Sequence, residues 1–197
     1  MIRDKGKALN EKIKQELNHL PNDKHNAIEK ILFTEYLIRD AIKKELIKVL
    51  REKQLNVLKG VVIKKAKNKK GKPEGIGDCD LIIYQKGKED VCYGELVVVK
   101  GEFVKGIISV SSRLIDLKNK LQFDALLRQR DVCCNVIALC RQGEFSGKRK
   151  DEKLKEGQRE LKNKIKVLGK KSIKIYVLEK NGDFDKLIKC IEDFCKC

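Results

Sequence analysis

The chain has 197 residues and a formal net charge of +17, and 38% of its residues are charged. A chain of this length can bury the core of one domain but is too short for two comfortable ones. The positive excess lies among many acidic residues, which excludes a disordered basic tail and favours a polyanionic partner such as nucleic acid. A lysine-rich chain without tryptophan is also typical of heat-adapted proteins, whose surface ion pairs contribute more to stability.

The expected compartment follows from targeting signals and cysteine use. The sequence begins MIRDK, without the apolar stretch of a signal peptide, and no apolar run approaches the roughly 18 residues of a membrane helix. We therefore expect a cytoplasmic protein without membrane contact, in which the eight cysteines are reduced. No two cysteines have C-x-x-C spacing, so core packing is favoured over a metal cluster, with Cys195 and Cys197 as the remaining candidate ligands.

Two helices are predicted before the first strand. The first covers residues 3–20 with a single apolar stripe and forms an accessory region, 1–25. The second begins near Asn26, and its positions 28, 31, 35, 38 and 42 read Ile, Ile, Glu, Ile and Ile on one face. Because the neighbouring faces are apolar as well, we expect burial over much of its circumference. Glu35 would then need a partner, either a lysine or backbone amide, or a metal ion.

A lysine-rich segment follows the first predicted strand, which runs from Leu55 to Ile63. Six of the next ten residues are lysines: Lys64, Lys65, Lys67, Lys69, Lys70 and Lys72. Such a segment is either a solvated hairpin turn or a loop that contacts phosphates beside the next strand. Aromatic residues are not interspersed among the lysines, so this segment does not indicate stacking of single-stranded bases.

The next strand begins with two acidic residues. Asp78 and Asp80 are two positions apart before an apolar run, so an extended backbone would place both carboxylates on one face. Strands are then predicted for 91–99 and 104–111, followed by a helix from Ser112 to about Gln129, for which Ser111 or Ser112 could be the N-cap.

The strand predicted for 132–140 is apolar on both faces, which indicates a central, parallel strand. The predicted strand 104–111, the helix that follows it and the strand 132–140 then form a right-handed crossover in one sheet. We therefore predict for residues 26–142 an α/β core that includes the order α-β-β-β-α-β. Residues 143–197 add an α-β-α extension that completes the same domain.

The extension begins with a basic loop that contains Lys148 and Arg149. Its segment from Gly143 to Lys148 is one residue short of a phosphate-binding P-loop, and Arg149 replaces the Ser or Thr of that motif. We therefore reject a P-loop and keep the two basic residues as candidate nucleic-acid contacts.

Two segments carry a resemblance to a known family. Asp80 to Tyr84 reads DLIIY, and Val104 to Leu114 reads VKGIISVSSRL. The pair resembles the restriction endonuclease-like, or PD-(D/E)XK, nucleases, and most closely an uncharacterised branch with the motif D-I-I-I-Y, a spacer and V-x-x-I-E-V-K-S-x-L. The resemblance covers about residues 26–140. It implies a mixed central sheet flanked by helices and a Mg²⁺-dependent phosphodiesterase that acts on DNA.

The resemblance also implies roles for individual residues. Family members hold Mg²⁺ between the strand Asp, the Glu of Glu-x-Lys and often a helix acid, while the Lys assists the attacking water. Asp80, Glu35 and, more weakly, Asp78 match the acids, but Ser109 and Ser111 stand at the Glu and Lys positions.

Three hypotheses follow from this substitution. The first is a nucleic-acid-binding protein, with DNA as the expected partner, whose catalytic site is degenerate and needs no cofactor. The second is an active Mg²⁺-dependent nuclease, of the restriction or defence type, that uses Asp80, Glu35 and a relocated Lys118. The third is a structural module in which the sheet only mediates assembly. A homodimer stays open as the oligomeric state.

Overall fold

The fold was analysed in a computed structural model. It describes residues 5–19, 27–67, 73–111, 120–133, 135–141, 173–178 and 183–194, with Glu156, Arg159, Glu160 and Asn163. Its helices are α1 (Lys5–Asn18), α2 (Ala27–Leu50), α3 (Lys120–Val132) and α4 (Asp183–Phe194). Its strands are β1 (Leu55–Lys67), β2 (Pro73–Gln85), β3 (Glu89–Tyr93), β4 (Leu96–Lys100), β5 (Val104–Ser111), β6 (Val136–Cys140) and β7 (Lys174–Val177).

All seven strands form one mixed sheet in the order β3-β4-β1-β2-β5-β6-β7. Strands β5, β6 and β7 are parallel, and every residue of β6 is buried. The predicted α/β fold is therefore confirmed, as is the parallel, interior position of β6. The helix predicted between residues 154 and 168 lies largely outside the described residues.

Helices cover both faces of the sheet. On one face, α1, α2 and α4 bury apolar residues such as Ile13, Ile42 and Leu187 against β1, β2, β5 and β6. On the other face, α3 buries Leu126 against a second apolar cluster. Burial of both clusters stabilises the sheet at about 25 cal/mol per Å² of apolar surface. Among the described residues, none of the helices is long and apolar enough to cross a membrane.

Three predictions, for the segment 91–99, for the end of α3 and for the burial of α2, were wrong. The segment 91–99 is two strands, because Gly94 adopts a left-handed φ of +57° and reverses the chain between β3 and β4. Helix α3 continues to Val132, so β6 begins only at Val136. The third error concerns α2, which buries one stripe while Leu32 is 60% exposed and Tyr36 47% exposed.

A bulge interrupts the pairing of β1 with β2. Leu58 is paired with Ile82 and Gly60 with Cys79, so Lys59 alone faces Asp80 and Leu81. An extra residue in one strand reorients the side chains on either side of it. Cys79 and Ile82 consequently pack on the α3 side, whereas Leu81 packs on the α2 side. The bulge places Lys59 opposite the acidic end of β2.

Candidate nucleic-acid site at Asp80

Asp80 lies where β2 and β5 diverge. The pairing of these strands ends at Leu81 and Ile108. Beyond that point, the Val110 N–H donates a hydrogen bond of 2.8 Å to Oδ2 of Asp80, and the Ser109 hydroxyl lies 3.5 Å from the same oxygen. The carboxylate therefore accepts the amide hydrogen bond that a strand partner would otherwise accept, and it holds the two strands together at their fork.

The charges around Asp80 come from two other elements. Burial raises the pKa of Asp80, and this effect outweighs the Val110 hydrogen bond and the positive charges of Arg39 and Lys59, which lower it. Lys59 on β1 also lies 3.8 Å from Oδ2 of Asp78, measured from its Nζ. Asp80 thus has two cationic side chains as its charged neighbours, one on α2 and one on β1.

The two serines lie on β5 beside this carboxylate. They alternate along the strand with Ile108 and Val110, which pack on the α2 side, so both serines belong to the α3 side. Ser111 is 1% exposed, and its hydroxyl lies 3.5 Å from Oε1 of Gln122 on α3. Of the two positions, 109 is the one in contact with Asp80.

The other predicted acids have different surroundings. Glu35 is half-buried on α2, one turn before Arg39, and Asp78 is mostly exposed beside Lys59. Within the described ranges, no three His, Cys, Asp or Glu side chains form a group that could hold a metal ion. Mg²⁺ requires near-octahedral oxygen coordination. Among the described residues, the side chain beside Asp80 on β5 is a serine hydroxyl and not a second carboxylate, and Lys118 lies outside the described residues.

The predicted basic segment is only partly described. Lys64, Lys65 and Lys67 belong to β1, which therefore extends beyond the predicted end at Ile63. The remaining basic candidates lie outside the described residues: Lys69, Lys70, Lys72, Lys148 and Arg149. Lys59 precedes the lysines of β1 in the same strand, so β1 carries positive charge from the Asp80 site towards its own carboxyl end.

The described cysteines agree with core packing. Cys79, Cys133, Cys140 and Cys190 are buried, and Cys92 is exposed. Burial, followed by the negative charges of Asp80 and Asp78, raises the pKa of Cys79 to about 12. A thiol with this pKa stays protonated at neutral pH and is a poor metal ligand.

Sequence reasoning missed Arg39, Lys59 and Gln122. Arg39 had a weak signal, because it lies four residues after Glu35 and hence on the same side of α2. Lys59 and Gln122 reach the site through strand register and helix packing, and no local pattern indicates either of them.

The raised pKa of Asp80 predicts a stability effect that depends on pH. Asp80→Asn keeps a side-chain oxygen for the Val110 N–H but is neutral at every pH. Since the folded protein binds the Asp80 proton more tightly than the unfolded chain, ionisation costs stability as pH rises through the folded pKa. At neutral pH we expect the variant to have a higher melting temperature than wild type. The difference in melting temperature should vanish below about pH 4. Melting curves between about pH 3 and pH 8 measure this, and a pH-independent difference would contradict it.

Comparison with solved structures places this architecture among known folds. NucC from E. coli MS115-1 in its cAAA-bound form matches with a TM-score of 0.60 at 8% identity, over 98% of this chain and 90% of that one. The cAAA-bound NucC of P. aeruginosa ATCC27853 matches with a TM-score of 0.60 at 9% identity, over 98% and 91% of the two chains. No protein-family model matches the chain, and no curated protein is a significant sequence match.

At these identities the likeness establishes the fold. The chain has a nuclease-like α/β fold with a seven-stranded mixed sheet, as the two motif segments predicted. The candidate site lies around Asp80, at the fork between β2 and β5.

Proposed function

We propose that this chain is a nucleic-acid-binding protein of nuclease-like fold whose phosphodiesterase site is degenerate. The observation that carries the proposal is the set of groups around Asp80. Its side-chain hydrogen-bond neighbour on β5 is the Ser109 hydroxyl, and the charges acting on it are those of Arg39 and Lys59. A site that generates hydroxide for phosphodiester hydrolysis needs a bound metal ion, which these groups do not favour.

The charge of the whole chain supports a polyanionic partner. The excess of 17 positive charges attracts phosphates over several ångströms. The strand that passes Asp80 is β1, and it carries four lysines: Lys59, Lys64, Lys65 and Lys67. We propose DNA as the partner and the cytoplasm as the place of action.

The rival hypothesis is an active nuclease that uses Asp80, Glu35 and Lys118 with Mg²⁺. Incubation of single- and double-stranded DNA with the purified protein and Mg²⁺ or Mn²⁺ distinguishes this active nuclease from the degenerate site that we propose. The degenerate site predicts no cleavage. Metal-dependent cleavage that Asp80→Ala abolishes would replace our proposal with the rival one. A structural module would show neither cleavage nor DNA affinity that depends on salt.

The salt dependence of binding tests the basic segment directly. If Lys65, Lys67, Lys69 and Lys70 neutralise phosphates, their replacement by Ala should reduce the slope of log affinity against log salt by about 0.9 for each lost contact. Fluorescence anisotropy with a labelled DNA measures both slopes.

A matched control removes the same charge elsewhere. Lys12, Lys14, Lys44 and Lys48 are exposed on α1 and α2, and their replacement by Ala should leave the slope within about one unit of wild type. Equal slopes in both quadruple variants would exclude the basic segment from the interface.

A further inference from the structure

Among the described helices, none packs over the β3–β4 edge of the sheet on the α2 side. Helix α2 packs on β1, β2 and β5, whereas β4 and β3 extend beyond it to the sheet edge. Tyr93 is paired with Leu96 and Val91 with Val98, so their side chains share one face. On that face Tyr93 is 83% exposed, Val91 58% and Leu96 52%. An apolar surface of this kind on a folded domain marks an interaction site.

Helix α2 borders this open surface. Lys43 forms an ion pair of 2.7 Å with Glu95, which precedes Leu96 in the turn between β3 and β4. Arg39 lies one turn earlier on the same side, and its charge acts on both Glu95 and Asp80. The Arg39 guanidinium lies 5.5 Å from the centroid of the Tyr36 ring. The α2 side of the surface therefore carries an exposed aromatic ring followed by two cations.

Lys59 connects the surface to Asp80. It is in register with Leu96 on the neighbouring strand, and its ammonium group lies beside Asp78. We name the surface between α2 and β3 the Tyr93 groove, which is defined by Tyr36, Arg39, Lys59, Tyr93 and Leu96. The groove combines two exposed tyrosines, an aliphatic side chain and two cations, and the charges of these cations also act on Asp80. Glu95 and Asp78 are further acidic neighbours of the two cations.

Two kinds of partner have matching chemistry: a protein surface, or a nucleic acid with unpaired bases. Aromatic rings stack on unpaired bases of any sequence, and nearby cations contact the backbone that joins them. A second copy of this chain would bring together two molecules with 17 excess positive charges each, which repel. A polyanion is attracted by the same charge, so the charges favour nucleic acid over self-association.

Resting on the proposed function, we infer that the Tyr93 groove binds single-stranded nucleic acid. Bases stack on Tyr36 and Tyr93, and phosphates lie near Arg39 and Lys59. In a duplex each base already stacks on its neighbours within the helix and presents only its edge. The groove therefore selects unpaired over paired strands, although the basic segment attracts both.

The test compares one labelled 12-nucleotide strand with its duplex by fluorescence anisotropy. Tyr93→Ala should weaken binding of the single strand by about tenfold, within the range of about 1–3 kcal/mol for one stacked base, and should change duplex binding by less than about twofold. Tyr93→Phe keeps the ring and should bind like wild type. Ile47→Ala is the matched control, because Ile47 is an exposed apolar residue elsewhere on α2, and it should change neither affinity.

Tyrosine emission gives a second readout, because the chain has four tyrosines and no tryptophan. The single strand should quench wild-type emission, and Tyr93→Ala should remove a large part of this quenching. Melting curves verify that each variant is folded, as expected for a side chain that is 83% exposed.

The outcomes separate this inference from the proposed function. If wild type binds duplex with a steep salt slope while Tyr93→Ala binds the single strand like wild type, only the groove assignment is overturned. If wild type binds neither form, both proposals fail. If sedimentation shows a wild-type dimer that Tyr93→Ala dissociates without loss of nucleic-acid affinity, the groove is a protein interface and the inference is wrong.

Discussion

The double variant Ser109→Glu, Ser111→Lys is expected to bind Mg²⁺, which wild type should not do measurably. The Ser109 hydroxyl lies 3.5 Å from Oδ2 of Asp80, so a glutamate at this position brings a second carboxylate to the first. Two adjacent carboxylates repel each other, and a divalent cation relieves that repulsion. Isothermal titration calorimetry measures the gain directly.

The lysine introduced at position 111 is expected to destabilise the folded protein. Ser111 is 1% exposed against α3, so a longer side chain displaces its neighbours, at a typical cost of about 1–3 kcal/mol. Its ammonium group also needs an anionic partner in this buried place, which the new glutamate two residues earlier provides. We expect the double variant without metal to melt below wild type. Saturation with Mg²⁺ at about 100 times the dissociation constant should return about 2.7 kcal/mol.

Matched variants test whether the carboxylates at positions 109 and 80 are responsible for the Mg²⁺ binding. Ser109→Gln has the size of the glutamate without its charge, and it should show no Mg²⁺ binding. Adding Asp80→Asn to the double variant should abolish the gain. Tight Mg²⁺ binding by wild type, or by the Gln variant, would mean that position 109 is not where the missing ligand belongs.

Gly60→Ala is expected to cause the largest loss of stability. Gly60 is paired with Val97 where β1 and β4 run side by side, and a Cβ at position 60 would lie 1.9 Å from the Val97 carbonyl oxygen. The obstacle is backbone, so β4 must move away from β1. We expect a loss of about 3 kcal/mol or more, equivalent to a fall in melting temperature of about 6–12 °C for a chain of this size.

Gly75 is the matched control. A Cβ there would lie 3.1 Å from Cγ1 of the Val61 side chain and 4.0 Å from the Val62 carbonyl oxygen. The second distance is ordinary contact, and a side chain can adjust by a few tenths of an ångström. Gly75→Ala should therefore cost far less than Gly60→Ala in the same chemical denaturation experiment. A loss below about 1 kcal/mol for Gly60→Ala would show that β1 and β4 are not packed this closely.

The Gly60 contact also bears on the proposed nucleic-acid binding. Lys59 and the bulge at Asp80 lie next to it, and Leu96 is in register with Lys59. If β4 separates from β1, Tyr93 and Leu96 move away from the Asp80 site. We expect the fraction of Gly60→Ala that remains folded to lose its preference for single-stranded DNA.

Much of the architecture could be predicted from the sequence alone. The apolar run that became β6 indicated an interior parallel strand, and the pair of motif segments indicated the nuclease-like sheet, which the NucC structures confirm. Prediction failed between residues 91 and 99. The reason is that Val91 and the valines of β4 read as one continuous β pattern around Gly94, and only the chain reversal shows that they form two strands.

The candidate site likewise has a part that the sequence could predict and a part that it could not. Asp80 and the serines at the Glu-x-Lys positions are visible in the sequence, because the motif is local in each strand. The groups that surround Asp80 are not. Lys59 faces it through a bulge in the register, and Arg39 through the packing of α2, so both depend on contacts between segments far apart in the chain.

The sequence by itself determined the α/β class and the excess of positive charge, and it carries the resemblance that places serines at the Glu-x-Lys positions, since periodicity, composition and motif identity are local properties. The tertiary structure alone decided that α2, which carries Tyr36, lies beside the β3–β4 turn, next to which Tyr93 is exposed. These tyrosines are separated by 57 positions, and the lysine-rich segment between them contains no aromatic residue. The two elements are neighbours because α2 packs over β1, β2 and β5 and its Lys43 forms an ion pair with Glu95 in the β3–β4 turn, which no local sequence pattern encodes.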